Sequence, residues 1–432
     1  MTIRHRWVPV LLAAACVPWA AAARQATPRV VVLDNVRIFD GTGALPIERG
    51  RIVVEGERVR SVGAGVDVPE GAERVDLSGR TVTPGLIDAH FHIENDPAMA
   101  LRQLAHGVTS FRDPGQWEEK FEALRDIIAR EQLPGPRIFT AGPHIDGENP
   151  AYPADAVVAR DAEEARRLAE RNLDRGASSL KIYFRLPLAS ARTVIDVCRA
   201  RRVPCTAHLE LLDARELFEA GLHGVEHITS LGMSITPRMA AEQYRQAVLR
   251  DNNARREGRY RLFASADLDG PEARALYATL RERRPWIDPT LAVFERRADR
   301  PPAGVTPELA EVYAAGFAKM RQLTRRVALE GARVVLGGHT EVPFAGRGEA
   351  PWRELELLVD AGFTPLEALT AATGTAAAFL CQSDSLGSLR PGFMADLVVF
   401  RGDPTTRIAD VRTVERVMVG GTWVDVERFR TY

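Results

Sequence analysis

Five histidines and one lysine stand where they could act together. The run TVTPGLIDAHFH ends in His90-Phe91-His92, SLKIYF carries Lys181, VPCTAH ends at His208, GVEHITS holds His227, and RVVLGGH closes on His339. Side chains alternate along a strand, so His90 and His92 point to one face while Phe91 points to the other. Two imidazoles on one face can share one metal ion. Any one of these histidines alone reads as a hydrogen-bonded strand-end residue. Five of the nine in the chain, all at strand ends, point instead to a metal site.

Lys181 adds an independent argument. The chain has 57 Lys plus Arg, yet its lysines are only Lys120, Lys181 and Lys319. A lysine kept inside an apolar run suggests chemistry that guanidinium cannot do, because arginine stays protonated whereas a buried amine can lose its proton. A neutral amine can take up carbon dioxide as a carbamate, which bridges two metals as a carboxylate does. The alternative is a lysine paired with a buried acid.

The elements that must position these groups follow from the patterning. Short alternating runs separated by glycine turns open the chain (VVVLDNVRIFDG, RIVVEGERVRSVG), and the same texture returns only in ADLVVFRG and VERVMVGGTWVD. The two ends are therefore expected to pair as one small β domain, a β-sandwich over 28–83 and 385–430. Between them, over 84–384, eight apolar runs alternate with helical stretches: VTPGLIDAHFH, GVTSFRD, PRIFTAG, SLKIYF, VPCTAH, GVEHITS, WIDPTLAVFE and RVVLGGH. Asp161 with Glu164, Gly176, and Thr-Pro pairs at 236, 306 and 364 punctuate the helices. The fold class is α/β, a (β/α)8 TIM barrel; a doubly wound sheet competes, but eight units fit closure better. Function in such a barrel sits at the carboxyl ends of the strands, where the histidines are. The stretch 233–300 exceeds one unit and is expected to add helices over the barrel mouth.

Composition limits the remaining classes. At 432 residues, 45% hydrophobic and 27% charged, the chain is globular, and its net charge of −1 gives no reason to expect nucleic acid. Arg4 and Arg6 precede VPVLLAAACVPWAAA, and Ala21 and Ala23 offer a small-x-small cleavage site, so residues 1–23 read as a signal peptide and the mature chain as secreted or periplasmic. Lipidation at Cys16 is disfavoured by Ala13 three places earlier. No later stretch reaches the ~20 apolar residues of a membrane span. Cys198, Cys205 and Cys381 form no metal-type pair, and the first two are expected as small apolar fillers on a helix and in a strand.

The motifs TVTPGLIDAHFH, LKIY, TAHLE, GVEHITS and GSLRPGFMADLVVFRGDP, in this order, resemble the amidohydrolase superfamily, nearest its secreted prolidase-like and imidazolonepropionase-like members. The resemblance spans nearly the whole mature chain. It implies two divalent metal ions, commonly zinc, with His90 and His92 on one, His208 and His227 on the other, and carboxylated Lys181 between them. It also implies hydrolysis of a C–N bond by a metal-activated water, on a small-molecule substrate such as an N-acyl amino acid or a dipeptide. The chain departs from the family at VVLGGHTEV, where relatives carry Gly-Thr-Asp and the Asp is ligand and base. Three readings stay open: His339 replaces the Asp as ligand and catalytic base, Glu341 supplies the carboxylate, or the site binds metal with little turnover. Tyr183 and Arg185 continue the phase of Lys181 and are candidates for substrate binding, Arg185 through a carboxylate; His144 is a candidate contact to the scissile carbonyl. A lactonase with the same metals and a noncatalytic metal-binding protein are the alternatives. No GxSxG marks a serine hydrolase. Monomer and homo-oligomer are both left open.

Overall fold

The computed structural model describes residues 29–94 and 96–432. The expected leader, residues 1–23, lies outside the described residues. The opening runs form β1 (Val30–Ile38), β2 (Ile47–Glu55), β3 (Arg58–Gly63), β4 (Glu73–Asp76) and β5 (Thr81–Pro84). The barrel strands are β6 (Leu86–Asp88), β7 (Val108–Asp113), β8 (Arg137–Thr140), β9 (His144–Asp146), β10 (Ala156–Val158), β11 (Leu180–Ile182), β12 (Cys205–Ala207), β13 (Gly224–Glu226), β14 (Trp286–Asp288) and β15 (Arg333–Val334). The chain returns to the first domain with β16 (Leu397–Phe400), β17 (Val414–Val419) and β18 (Thr422–Trp423).

The two ends do pair. They make one eight-stranded sheet in the order β18-β17-β16-β5-β1-β2-β3, with β4 also on β1. Strand β5 joins the halves, parallel to β1 on one side and antiparallel to β16 on the other. Val31, Leu33, Ile52, Val54, Leu397 and Val399 pack into a core of this domain's own, separate from that of the barrel.

The barrel is parallel throughout and falls into two hydrogen-bonded arcs, β6-β7-β8 and β10-β9-β11-β12-β13-β14-β15. Its third strand is broken. Strand β8 pairs with β7 and β9 pairs with β11, and between them Gly142 takes φ +66°, a left-handed turn that a glycine adopts at no steric cost. The run PRIFTAG thus covers only half of that strand; His144 lies in the other half. The eighth run closes the ring as extended loop, through Ala89 N–H to the Leu336 carbonyl (2.8 Å) and His339 N–H to the His90 carbonyl (2.7 Å).

Helix punctuation mostly follows the expected pattern. Asp161 accepts the Glu164 N–H at 2.8 Å, Thr306 accepts from Leu309 N–H, and Thr364 with Glu367 makes a full capping box. Thr236 does not cap. Its hydroxyl donates back to the Gly232 carbonyl at 2.7 Å, and Pro237 is the N-cap residue of the next helix. The long insertion supplies three helices, α1 (Arg238–Arg250), α2 (Ala254–Ser265) and α3 (Pro271–Arg283). Helix Pro307–Leu329 packs closely on α2 because Gly316 has no Cβ; one would lie 2.5 Å from the Tyr260 carbonyl oxygen. Cys198 and Cys205 are buried on a helix and in β12, as the sequence suggests. Among the described residues no helix is long and apolar enough to cross a membrane.

Candidate active site

The barrel interior beneath the strand ends is ionic. Arg112 on β7 is fully buried and donates to Glu226 (2.8 Å), Ser179 (3.0 Å) and Thr206 (2.9 Å). Lys181 Nζ lies 2.7 Å from the other oxygen of Glu226. Burial alone would raise the Glu226 carboxyl, but Lys181 and Arg112 outweigh it and hold it down at about 2. Lys181 is therefore paired with a buried acid while also facing the cavity above.

The five histidines converge on top of this layer. Ring centroids separate His90 from His92 by 5.0 Å, from His227 by 4.6 Å and from His339 by 5.2 Å, and His208 from His227 by 4.6 Å. His227 and His339 both take φ +65°, a left-handed conformation that is costly for a residue with a Cβ and is held here by the surrounding structure. In each, the backbone N–H is locked at 2.7 Å, to Asp288 and His90 carbonyls respectively.

The donor set fits a metal. His90, His92 and His339 each offer a ligand atom, and these atoms lie within 4.8 Å of one another. His90 and His92 bring their Nε2 atoms 3.2 Å apart, so both face one point. Three of the rings have one nitrogen hydrogen-bonded from behind: His90 Nδ1 by Asp288 (2.8 Å), His208 Nε2 by Glu210 (2.9 Å) and His227 Nδ1 by Thr290 (2.6 Å); His92 Nδ1 lies 3.3 Å from Asp113 without a hydrogen bond. Outer carboxylate and hydroxyl partners of this kind fix the tautomer of metal-binding histidines. The Nδ1 atoms of His92, His208 and His339 are buried without a hydrogen bond, an arrangement that costs free energy unless something binds there. Burial first, then neighbouring cationic groups, pushes His90, His227 and His339 well below the usual histidine range; burial takes His208 down to about 4 despite Glu210. Neutral imidazoles have the lone pairs that a metal needs.

Three carboxyls sit behind His90. Burial raises Asp88 to about 7 and Glu354 to about 8, and burial with the nearby Glu226, Glu354 and Asp88 raises Asp288 well above its ordinary range. Asp288 Oδ2 lies 2.8 Å from His90 Nδ1, and a proton on Nδ1 leaves the Nε2 lone pair free. These carboxyls also explain the double glycine of VVLGGH. A Cβ on Gly337 would lie 1.9 Å from Asp288 Oδ1, and one on Gly338 would lie 2.8 Å from Asp88 Oδ2.

The group opens into a cavity of about 590 Å3. Tyr183 and His144 line it; the Tyr183 ring lies 4.2 Å from His144 and 4.8 Å from His208, and His144 Nε2 has no partner. Arg185 does not line it. Strand β11 ends at Ile182, so the alternation used to place Arg185 no longer applies, and its guanidinium is spent on Asn252 and on the Val248 and Leu249 carbonyls at the end of α1. Glu341 is exposed and outside the His90-His92-His339 group. Sequence reasoning did not single out Asp113, Glu210, Asp288, or the Arg255 and Arg259 of α2 that wall the cavity. Glu210 had a signal, since it stands two residues after His208 in TAHLE.

A model of the amidohydrolase family matches residues 81–424, and the chain belongs to that family. Among solved structures, the chain is similar to a putative prolidase from Bifidobacterium longum, with a TM-score of 0.70 at 25% identity over 94% of this chain and 98% of that one. A Xaa-Pro dipeptidase with bound methionine shares the fold at TM-score 0.70 and 20% identity, over 91% and 99% of the two chains. Among curated relatives, an adenine deaminase of Desulfatibacillum aliphaticivorans is 39% identical over 97 residues, 21% of this chain and 16% of the relative. The imidazolonepropionase of Pseudomonas aeruginosa (strain LESB58) is 28% identical over 216 residues, 47% of this chain and 46% of the relative. The chain thus spans less than half the length of these curated relatives.

Proposed function

We propose that this member of the amidohydrolase family is a metal-dependent hydrolase that cleaves a C–N bond, an amide or peptide bond, in a small N-acyl amino acid or dipeptide. The convergence of five histidines and Lys181 at the floor of one cavity carries the reading. The volume suits a small substrate, and the similarity to the putative prolidase of Bifidobacterium longum supports a peptide-like one. The metals are two divalent ions, with zinc favoured by an imidazole-rich set. His90, His92 and His339 would hold one ion and His208 and His227 the other; Lys181, here paired with Glu226 at 2.7 Å, would have to leave that pair to serve as the carbamate the resemblance implies.

When bound, such ions polarise a carbonyl and bring the pKa of water toward neutrality. The chain's own residues hold and orient. Asp288, Glu210 and Thr290 fix the imidazoles of His90, His208 and His227 from behind, so little reorganisation is left for the reaction. His144, with its free Nε2, and Tyr183 line the wall, which supports a role for them in meeting the scissile carbonyl. His339 is favoured as ligand over base, because burial pushes its pKa well below neutral and a weak base takes up a proton poorly.

The test is hydrolysis of a panel of N-acyl amino acids and dipeptides by chelator-stripped and zinc-reloaded protein. Release of free amine only after reloading is expected; no release from the loaded protein would favour a noncatalytic metal-binding role. Export from the cytoplasm belongs to the same proposal, rests on residues 1–23, and is tested by sequencing the mature N-terminus.

A further inference from the structure

We propose that Arg255, on the inserted helix α2, receives the free carboxylate of the substrate and makes the cavity selective for acids. The inference rests on the hydrolase reading of the same site. Of the three arginines buried among the described residues, Arg112 has Glu226 at 2.8 Å and Arg259 has Glu210 at 3.2 Å. Arg255, only 3% exposed, has no carboxylate oxygen within the 4.0 Å of an ion pair among the described residues. Asp146 Oδ2, which also lacks a partner, lies beyond that distance. A guanidinium does not lose its proton, so this charge is buried with no ion-pair partner in contact, an unfavourable arrangement.

The geometry shows what would relieve that cost. Arg255 lines the cavity together with His144, Tyr183 and His208. Its guanidinium lies 5.5 Å from the Tyr152 ring and 5.4 Å from the Phe184 ring, contacts that fix its plane. Two of its five N–H donors are engaged, one with the Asn252 carbonyl and one with the Tyr152 hydroxyl at 3.0 Å. Nε–H is buried with no acceptor. A fixed, half-used fork facing a cavity matches the two oxygens of a carboxylate. The neighbouring Arg256 and Arg296 also line the wall without a carboxylate partner among the described residues, which adds positive potential for an acid entering the mouth. In a substrate whose amide lies over the histidines, the group reaching this wall is the carboxylate of the amino acid.

The experiment uses probes that cannot be hydrolysed: L-leucine, L-methionine, L-phenylalanine and L-proline, each against the amino alcohol in which CH2OH replaces the carboxylate. Affinities are read by saturation-transfer NMR titration of the zinc-loaded protein. We expect at least one acid to bind the native protein roughly ten- to a hundredfold more tightly than its alcohol. That ratio should fall close to one in Arg255→Gln and be partly kept in Arg255→Lys. Tyr152→Phe, at a half-exposed position, removes one of the contacts that orient the guanidinium and should lower the ratio without threatening the fold. A native ratio near one, no binding of any acid, or an unchanged ratio in the folded Arg255 variants overturns the inference. Absence of turnover with the acid preference intact would overturn the hydrolase reading and leave the carboxylate subsite standing.

Discussion

Gly337→Ala tests the link between the glycine pair and the metal site. The added methyl would lie 1.9 Å from Asp288 Oδ1, 2.5 Å from its Cγ and 2.7 Å from Oδ2. That is about 1.5 Å short of the 3.4 Å where ordinary contact begins. Asp288 is fully buried, so the strain falls on its carboxyl or on the loop carrying His339. Overpacking of this kind costs about 1–3 kcal/mol. If the carboxyl moves, His90 Nδ1 loses its 2.8 Å partner, and loss of such an outer contact lowers metal affinity by roughly 10–100-fold. The assay is competitive chelator titration with zinc, alongside the Tm of the metal-free protein. Asp288→Ala alone should weaken the metal without the clash, and adding Gly337→Ala to it should cost little more, because the methyl enters the vacated space; the two changes are therefore strongly non-additive. Unchanged affinity and Tm in Gly337→Ala, or simple additivity, would refute the reasoning.

Other outcomes follow from the same contacts. Glu210→Gln removes the charge that holds His208 and Arg259, and is expected to lower zinc affinity roughly 10–100-fold in the same titration; unchanged affinity would count against a ligand role for His208. Glu354 binds its proton up to about 8 in the folded chain but only to its ordinary 4.5 when unfolded. Its contribution is thus present below pH 4.5 and lost as pH rises toward 8, a fall of up to roughly 5 kcal/mol. Denaturation of metal-free Glu354→Gln should show a flatter stability profile between pH 5 and 8 than the native chain, and an identical profile would contradict the burial account.

The barrel was legible because its strands are buried apolar runs ending in polar residues, and the terminal sheet because its alternating texture occurs only at the two ends. The histidines and Lys181 were legible as strand-end residues. The broken third strand was not, since a hydrogen-bond switch at Gly142 leaves the apolar pattern intact. Arg185 was misplaced by extending a two-residue period past Ile182, where the strand has already ended. Arg255 had no sequence signal, because it reaches the cavity only through the packing of α2 against the helix carrying Gly316, far along the chain. Asp288 stood in WIDPT as one more strand-end acid, and only its 2.8 Å contact with His90 gives it a role.

The central claim is that His339 stands in as a metal ligand for the acid that the family places there. Metal content per chain by inductively coupled plasma mass spectrometry, on native protein, His339→Ala and Glu341→Gln purified without chelators, tests it most directly. The account predicts two metals per chain in the native protein and in Glu341→Gln, and a lower content in His339→Ala. No bound metal in the native protein, or loss in Glu341→Gln with His339→Ala fully loaded, would contradict it.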